Sequence, residues 1–315
     1  MRAVGTAAFG SSLLTGCVNP YRDNAEGDGK KNAPLIRFGM VTDLHYADAN
    51  PRGTRFYRDS RAKLAECVEL MNTQGVGFMI ELGDFKDEAQ SADKSRPVDE
   101  GRTLAFLRDI EKVFSGYKGL RYHVLGNHDT DSISREQFLG CVTNSNIARG
   151  KSYYSFDANG VHFVVLNACF AREGGKHEKY VAYDHGNFNW QNTWIPPQEM
   201  AWLKEDLTKT SAHNVIVFIH QLLDGVGSVY VNNASQVRKV LERSGKVRVV
   251  FQGHHHHGAY SLISGIHYYT LRAMVEGAGL VNNSCAVVDV YGNGDVAVQG
   301  YYKAVSKVMG KRSVR

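Results

Sequence analysis

The sequence predicts an α/β protein with two β-sheets, each backed by helices. Three observations carry that expectation. Strand-like and helix-like apolar periodicities alternate from residue 35 to residue 125, the rhythm of parallel strands joined by crossover helices. Beyond residue 150 more strand-like runs appear, with helical stretches between them, so a second sheet with its own helices accounts for the pattern. Five polar clusters each follow an apolar run, and loops at strand ends are where chemistry usually sits.

Residues 36–42 form the first strand and lead into Thr42-Asp43-Leu44-His45. Residues 57–72 place Leu64, Val68 and Met71 at helical spacing, and 78–82 form a second strand before Gly83-Asp84-Phe85-Lys86-Asp87. A helix over 98–114 carries Leu104, Leu107, Ile110, Val113 and Phe114 on one side. The strand at 121–125 then delivers Gly126-Asn127-His128-Asp129. Runs at 153–156 and 161–167 flank Asn159-Gly160, a strong signal for a tight hairpin turn. Residues 171–195 show little periodicity but hold His177, Tyr180, Tyr183, His185, Trp190 and Trp194. A loop this long is more often functional than structural, so it is expected to cover substrate, with a packed surface loop as the alternative. Pro196 and Pro197 open a helix reaching Leu207, followed by a strand at 215–220 that ends in His220 and a helix at 235–243. The strand at 247–252 precedes Gly253-His254-His255-His256-His257. Strand-like runs around His267, Val287 and Val296 follow, with Gly292-Asn293-Gly294 in the last turn.

With 315 residues, 43% hydrophobic and 22% charged, the chain can bury one large core, and a single domain over 35–303 is expected. The net charge of +5 lies partly in a basic C-terminal tail, 304–315, and no long basic run or aromatic-interleaved basic patch indicates a nucleic-acid partner. Residues 1–16 are small and apolar apart from Arg2 and end in Leu14-Thr15-Gly16-Cys17, which resembles a bacterial lipobox. Residues 1–34 are therefore read as a lipoprotein-type signal and tether. That reading expects export to the periplasm or the outer surface of a bacterial membrane, anchored through lipidated Cys17; a disordered cytoplasmic N-terminus is the alternative. Cys67, Cys141, Cys169 and Cys285 form no C-x-x-C pair and are expected to be buried free thiols.

Asp43, His45, Asp84, Asn127, His220, His254 and His256 offer oxygen and imidazole donors without thiolate, a set suited to borderline divalent cations in an open catalytic site. Seven donors exceed what one tetrahedral ion takes, whereas two ions about 3.5–4 Å apart use them all. Any one cluster could be a core histidine or a turn cap, but five at strand ends argue otherwise. If the chain stays extended after Gln252, His254 and His256 share one face and His255 and His257 the other. The first pair is expected, since it begins next to Gly253; the second satisfies the same geometry.

Taken in order, Asp43-Leu44-His45, Gly83-Asp84-Phe85-Lys86-Asp87, Gly126-Asn127-His128-Asp129, His220 and Gly253-His254-His255-His256 resemble the signature of calcineurin-like metallophosphoesterases, over residues 35–300. The resemblance implies a four-layer αββα sandwich of two mixed sheets flanked by helices. It places Asp43, His45 and His256 on one of two divalent metal ions (Mn, Zn or Fe) and Asn127, His220 and His254 on the other, with Asp84 as the bridge. It also implies that His128 contacts the substrate phosphate or leaving group, oriented by Asp129. Two cations make hydroxide available near neutral pH and neutralise charge building on the phosphoryl oxygens, so in-line attack on phosphorus is expected. A protonated imidazole can serve the leaving oxygen.

Tyr46-Ala47-Asp48 and Tyr57-Arg58-Asp59-Ser60 are similar to the branch of manganese-dependent ADP-ribose/CDP-alcohol pyrophosphatases, which often carries Gln where this chain has His45. Arg55 and Arg58 are candidate phosphate contacts, or solvated residues at a helix start, and His185 is a candidate substrate contact from the long loop. Purple acid phosphatases place a Tyr three residues after the bridging Asp; Asp87 stands there in this chain, so no tyrosinate-to-iron charge transfer is expected. The expected function is metal-dependent hydrolysis of a small-molecule phosphoester, as a phosphodiesterase or pyrophosphatase. A broad phosphomonoesterase scavenging phosphate outside the cytoplasm and a metal-binding but inactive scaffold are the alternatives.

Overall fold

The computed structural model describes residues 33–89, 98–182 and 186–310. The chain runs β1 (Ile36–Val41), α1 (Asp59–Thr73), β2 (Phe78–Glu81), α2 (Glu100–Phe114), β3 (Leu120–His123) and a short α3 (Arg135–Cys141). It continues with β4 (Tyr154–Ala158), β5 (Val161–Val165), β6 (Phe170–Glu173), β7 (Lys176–Lys179), α4 (Pro197–Lys209), β8 (Asn214–Phe218), α5 (Ala234–Ser244) and β9 (Val247–Gln252). The last strands are β10 (Ala259–Ile263), β11 (Ile266–Thr270), β12 (Ser284–Val290), β13 (Val296–Tyr302) and β14 (Lys307–Met309).

Two six-stranded mixed sheets result, ordered β14-β13-β12-β1-β2-β3 and β10-β11-β9-β8-β5-β4. β1, β2 and β3 are parallel, as are β5, β8, β9 and β11, while the flanking strands pair antiparallel. Because successive side chains on a strand point to opposite faces, the apolar residues divide between layers. On β12, Ala286, Val288 and Val290 point between the sheets, whereas Cys285 and Val287 face the helices. Phe38 sits at the centre of the inter-sheet layer, its ring 4.8 to 5.9 Å from those of Phe78, Phe163, Phe218 and Phe251. α1 and α2 lay Leu64, Met71, Leu107 and Phe114 on the outer face of the first sheet, and α4 and α5 lay Leu203, Leu207, Val237 and Leu241 on that of the second. The αββα order follows from those two apolar stripes.

Four details differ from the sequence reading. The stretch after residue 170 begins with the β6–β7 hairpin, turned by Gly174 and Gly175 at φ 54° and 83°. α3 starts on a capping box in which Ser134 and Gln137 exchange side-chain and backbone bonds, a Ser-x-x-Gln cue. β10 forms a further hairpin with β11. The tail expected from 304 is corrected: β14 pairs with β13, so the domain extends through Met309. Residues 1–32, with Cys17, and residues 183–185, with His185, lie outside the described residues. Among the described residues no helix is long and apolar enough to cross a membrane. Cys67, Cys169 and Cys285 are buried and Cys141 half-buried, all as free thiols.

Candidate metal centre

Each expected ligand lies just past the carboxyl end of a parallel strand: Asp43 and His45 after β1, Asp84 after β2, Asn127 after β3, His220 after β8, His254 and His256 after β9. Parallel strands release their loops at one edge, and the crevice outside those carboxyl ends is where open α/β sheets bind ligands. The loops there are strained. Asp43, His45, Asp84 and His254 hold left-handed φ values of 49°, 45°, 58° and 65°, a conformation that costs a non-glycine residue about 1–3 kcal/mol. Backbone bonds from Asp43 N–H to Gly83 O (3.0 Å) and from His45 N–H to Asp84 O (2.9 Å) hold the first two loops together. Gly126 is required by close approach, since a Cβ there would lie 2.3 Å from the Asp84 amide nitrogen.

Two donor triads converge. Asp43, His45 and His256 form one, with His45 Nε2 3.2 Å from His256 Nε2 and Asp43 Oδ1 3.5 Å from the latter. Asp84, His220 and His254 form the other, with His254 Nδ1 3.2 Å from His220 Nε2. Asp84 Oδ2 lies 3.1 Å from His220 Nε2 and 3.5 Å from His45 Nε2, so one oxygen stands between the triads. Three of the histidines are held from behind at Nδ1: His45 by Asp87 (3.1 Å), His220 by the Leu82 carbonyl (2.9 Å) and His256 by Glu276 (2.6 Å). An Nδ1–H committed to an acceptor leaves the Nε2 lone pair facing the cluster, the usual preparation for metal ligation. Asn127 Oδ1 is buried without a hydrogen-bond partner, which costs about 1–3 kcal/mol unless something positive meets it. These residues fit two divalent cations: Asp43, His45 and His256 would hold one, Asn127, His220 and His254 the other, and Asp84 both.

The electrostatics agree with that fit. Burial pushes the Asp43 carboxyl up, but the attraction of His45, 3.8 Å away, and of His220 and His256 outweighs it and holds it below the usual carboxylate range. Asp84 is likewise held well below that range, against burial, by the charges of His220 and His128. Burial pulls His220 down, yet Asp84, Asp43 and the Leu82 carbonyl raise it to about 9. His254 falls to about 3 through burial and the neighbouring charge of His220. Ionised carboxylates here attract positive charge that divalent cations can supply in place of imidazole protons, so metal uptake releases protons.

Asp129 requires a correction. Its carboxylate does not orient His128; it accepts the backbone N–H groups of Asp84 (3.0 Å), Phe85 (2.9 Å) and Gly126 (2.8 Å) and so joins the second and third ligand loops. His128 Nδ1 instead lies 2.7 Å from Asp131 Oδ2, and its backbone N–H donates to Asp84 Oδ1 at 2.7 Å. The histidine run is also corrected. β9 ends at Gln252, and a turn, not extended chain, brings His254 and His256 to the cluster. The His255 and His257 rings meet edge to face at 5.9 Å and join neither triad. Arg55 bridges Glu276 through its backbone, whereas Arg58 is exposed and bonded to Asp48 and Asn50, away from the triads. Arg58 lines an open cavity of about 450 Å³ that reaches Asp87 and also holds Arg52, Tyr57, Arg102 and Phe106. Sequence reasoning assigned no role to Asp131 or Glu276, and to Asp87 only the place of an absent tyrosine. The only cue would have been that ligand histidines need acceptors at the far ring nitrogen.

A model of the calcineurin-like phosphoesterase family matches residues 36–258. A manganese-dependent ADP-ribose/CDP-alcohol diphosphatase of Arabidopsis thaliana is 27% identical over 297 residues, covering 82% of this chain and 92% of that protein. A protein of the same name from Oryza sativa is 27% identical over 284 residues, covering 77% and 84%. The crystal structure of a dimetal phosphatase from Danio rerio superposes with a TM-score of 0.72 at 21% identity, covering 89% of this chain and all of that one. The family match takes in β1 through β9 and all seven donors, so the chain belongs to the calcineurin-like phosphoesterase family and is a metallophosphoesterase.

Proposed function

We propose that the protein hydrolyses the diphosphate or phosphodiester linkage of a nucleotide-like small molecule, with manganese as the working cation. The observation that carries this reading is Asp84 Oδ2, placed between two donor triads. When bound there, two cations supply an activated water and neutralise charge on the phosphoryl oxygens. The chain's own residues supply the rest. His128, with Nδ1 occupied and its ring 4.7 Å from that of His45, keeps Nε2 free to hold a proton for the leaving oxygen. The adjoining cavity, lined by Arg52, Arg58 and Arg102, the rings of Tyr57 and Phe106 and the carboxylates of Asp48, Asp87 and Glu88, has room for the rest of a diester, with Arg52 and Arg102 as the guanidinium groups not paired to Asp48 through a hydrogen bond. The names of the Arabidopsis and rice proteins support the same substrate class and metal.

The test is hydrolysis of ADP-ribose, a CDP-alcohol, bis-p-nitrophenyl phosphate and p-nitrophenyl phosphate by metal-stripped protein, with manganese, zinc and iron restored singly. We expect kcat/KM for the diphosphate to exceed that for the monoester by about tenfold or more, equivalent to about 1.4 kcal/mol of transition-state binding. Preference for the monoester would make the protein a phosphatase. Full metal content without turnover would make it a scaffold. Export and lipidation at Cys17 remain our proposal for the N-terminal segment; an intact mass lacking the lipid, measured on protein from the membrane fraction, would exclude the lipid anchor, and protection from protease added to intact cells and to spheroplasts would exclude export.

A further inference from the structure

Besides Asp84, which accepts the His128 backbone N–H, two carboxylates face the His128 Nδ1, and they are not equivalent. Its Nδ1 is 2.7 Å from Asp131 Oδ2 but 3.9 Å from Asp87 Oδ1. Asp87 is already engaged, since its Oδ2 faces His45 Nδ1 at 3.1 Å and its Oδ1 accepts the Glu88 N–H at 2.7 Å. Asp131 is held from behind: Lys86 Nζ and Ser132 Oγ donate to its Oδ1 at 2.5 and 2.6 Å, and Lys86 also donates to Ser132 Oγ at 2.8 Å. Lys86 is fully buried, and Asp131 and Ser132 are 1% and 2% exposed. The backbone explains the pairing. His128–Thr130 form a turn of 3₁₀ helix with Asp131 at its end, and in that helix side chains three residues apart eclipse one another.

A buried ammonium–carboxylate pair gains little net stability, because the desolvation of both charges offsets their attraction. What this pair does provide is a carboxylate that cannot rotate away from His128. Resting on the functional reading above, we propose that Asp131, locked by Lys86 and Ser132, is the positioning residue of His128. It accepts the Nδ1–H bond and so aims Nε2 at the leaving oxygen, both while Nε2 carries the proton and in the Nδ1–H imidazole left once that proton has passed to the oxygen, while Asp87 performs the equivalent service for His45. Each imidazole has its own carboxylate, so the two are separable by mutation.

The experiment compares Asp131→Asn, Lys86→Met/Asp131→Asn, His128→Ala and His128→Ala/Asp131→Asn. For each, bound metal, kcat and KM are measured on an aryl and an alkyl phosphodiester. We expect Asp131→Asn to keep its metal, hold KM within about twofold and lose about 10- to 100-fold in kcat, more on the alkyl ester with its poorer leaving group. In the His128→Ala background the same change should cost nothing further, because both residues act through one imidazole. If Asp131 merely neutralises Lys86, Lys86→Met/Asp131→Asn will regain parental kcat along with thermal stability, and the inference fails. Additive losses in the His128→Ala background overturn it too. A readout independent of turnover is the ¹⁵N spectrum of the His128 ring in zinc-loaded protein, where Asp131→Ala should move the proton from Nδ1 toward Nε2. An unchanged tautomer rejects the assignment. A parent enzyme inactive on every ester refutes the functional reading alone, and the tautomer spectrum still decides the role of Asp131.

Discussion

Asn127 brings a carbonyl oxygen into a buried site and finds no donor there, while Asp84 places one oxygen between both triads. The two residues should therefore fail differently. Asn127→Ala is expected to lower occupancy of mainly one ion, and Asp84→Asn of both, as read by elemental analysis of protein dialysed against manganese. One fully occupied site in Asp84→Asn would contradict a shared ligand. Away from the centre, His162 bonds Asp157 through Nδ1 and Asp206 through Nε2, each at 2.8 Å, and so ties the β4–β5 hairpin to α4. Burial lowers its pKa, but the bonds to Asp206 and Asp157 outweigh burial and raise it. A histidine raised in the folded state stabilises fully below its unfolded value, near 6.5, and that contribution fades as pH rises through the higher folded value. The gap in urea midpoint between parent and His162→Gln should thus be widest below about pH 6.5 and narrow above it. A constant gap would show that the ring acts by packing alone.

At the scale of elements, the turn after β9 sets which histidines reach the centre. Gly253 N–H bonds His220 O at 3.1 Å, and Gly258 N–H closes the turn onto His255 O at 2.8 Å. His254→Ala and His256→Ala should each lose a metal and most activity, whereas His255→Ala should stay within a few-fold of the parent. Gly253 offers a sharper test of the turn itself, because a Cβ there would fall 2.3 Å from Thr42 Oγ1 and 2.9 Å from Asp43 Oδ2. Gly253→Ala, which removes no donor, is expected to reduce metal content and diesterase rate together. Normal metal binding in that variant would mean that the β1 loop can shift aside freely.

Across the whole molecule, the sheets meet through aromatic rings, and Phe38 belongs to β1, the strand that leads into Asp43. Phe38→Ala opens a cavity among Phe78, Phe163, Phe218 and Phe251, at an expected cost of about 3–5 kcal/mol in urea unfolding. Since loops from both sheets supply donors, the same loss should weaken metal binding as well as stability. A destabilised variant with undiminished metal affinity would show that the strand ends hold their geometry without the inter-sheet layer.

The strands and helices from β1 to β3 and the Asn159-Gly160 hairpin were legible in the sequence, as was the place of the seven candidate ligands at strand ends. Apolar periodicity is a local property, and each donor sits beside the run that carries it. The tertiary structure alone decided which acceptors hold the donors. Glu276 is 20 residues from His256 and Asp87 is 42 from His45, and no periodic pattern marks a carboxylate chosen by distance in space. Asp131 lies only three residues from His128, yet a sequence cannot distinguish it from adjacent Asp129; the 3₁₀ turn does, by eclipsing positions three apart. The three-residue β14 is too short for periodicity to reveal and exists because β13 leaves an edge for it to pair with. The turn through His254 followed the same logic, since the left-handed residue there is held by Asp43 and His220 from distant strands as well as by the local bond from His255 N–H to Gly253 O at 2.7 Å.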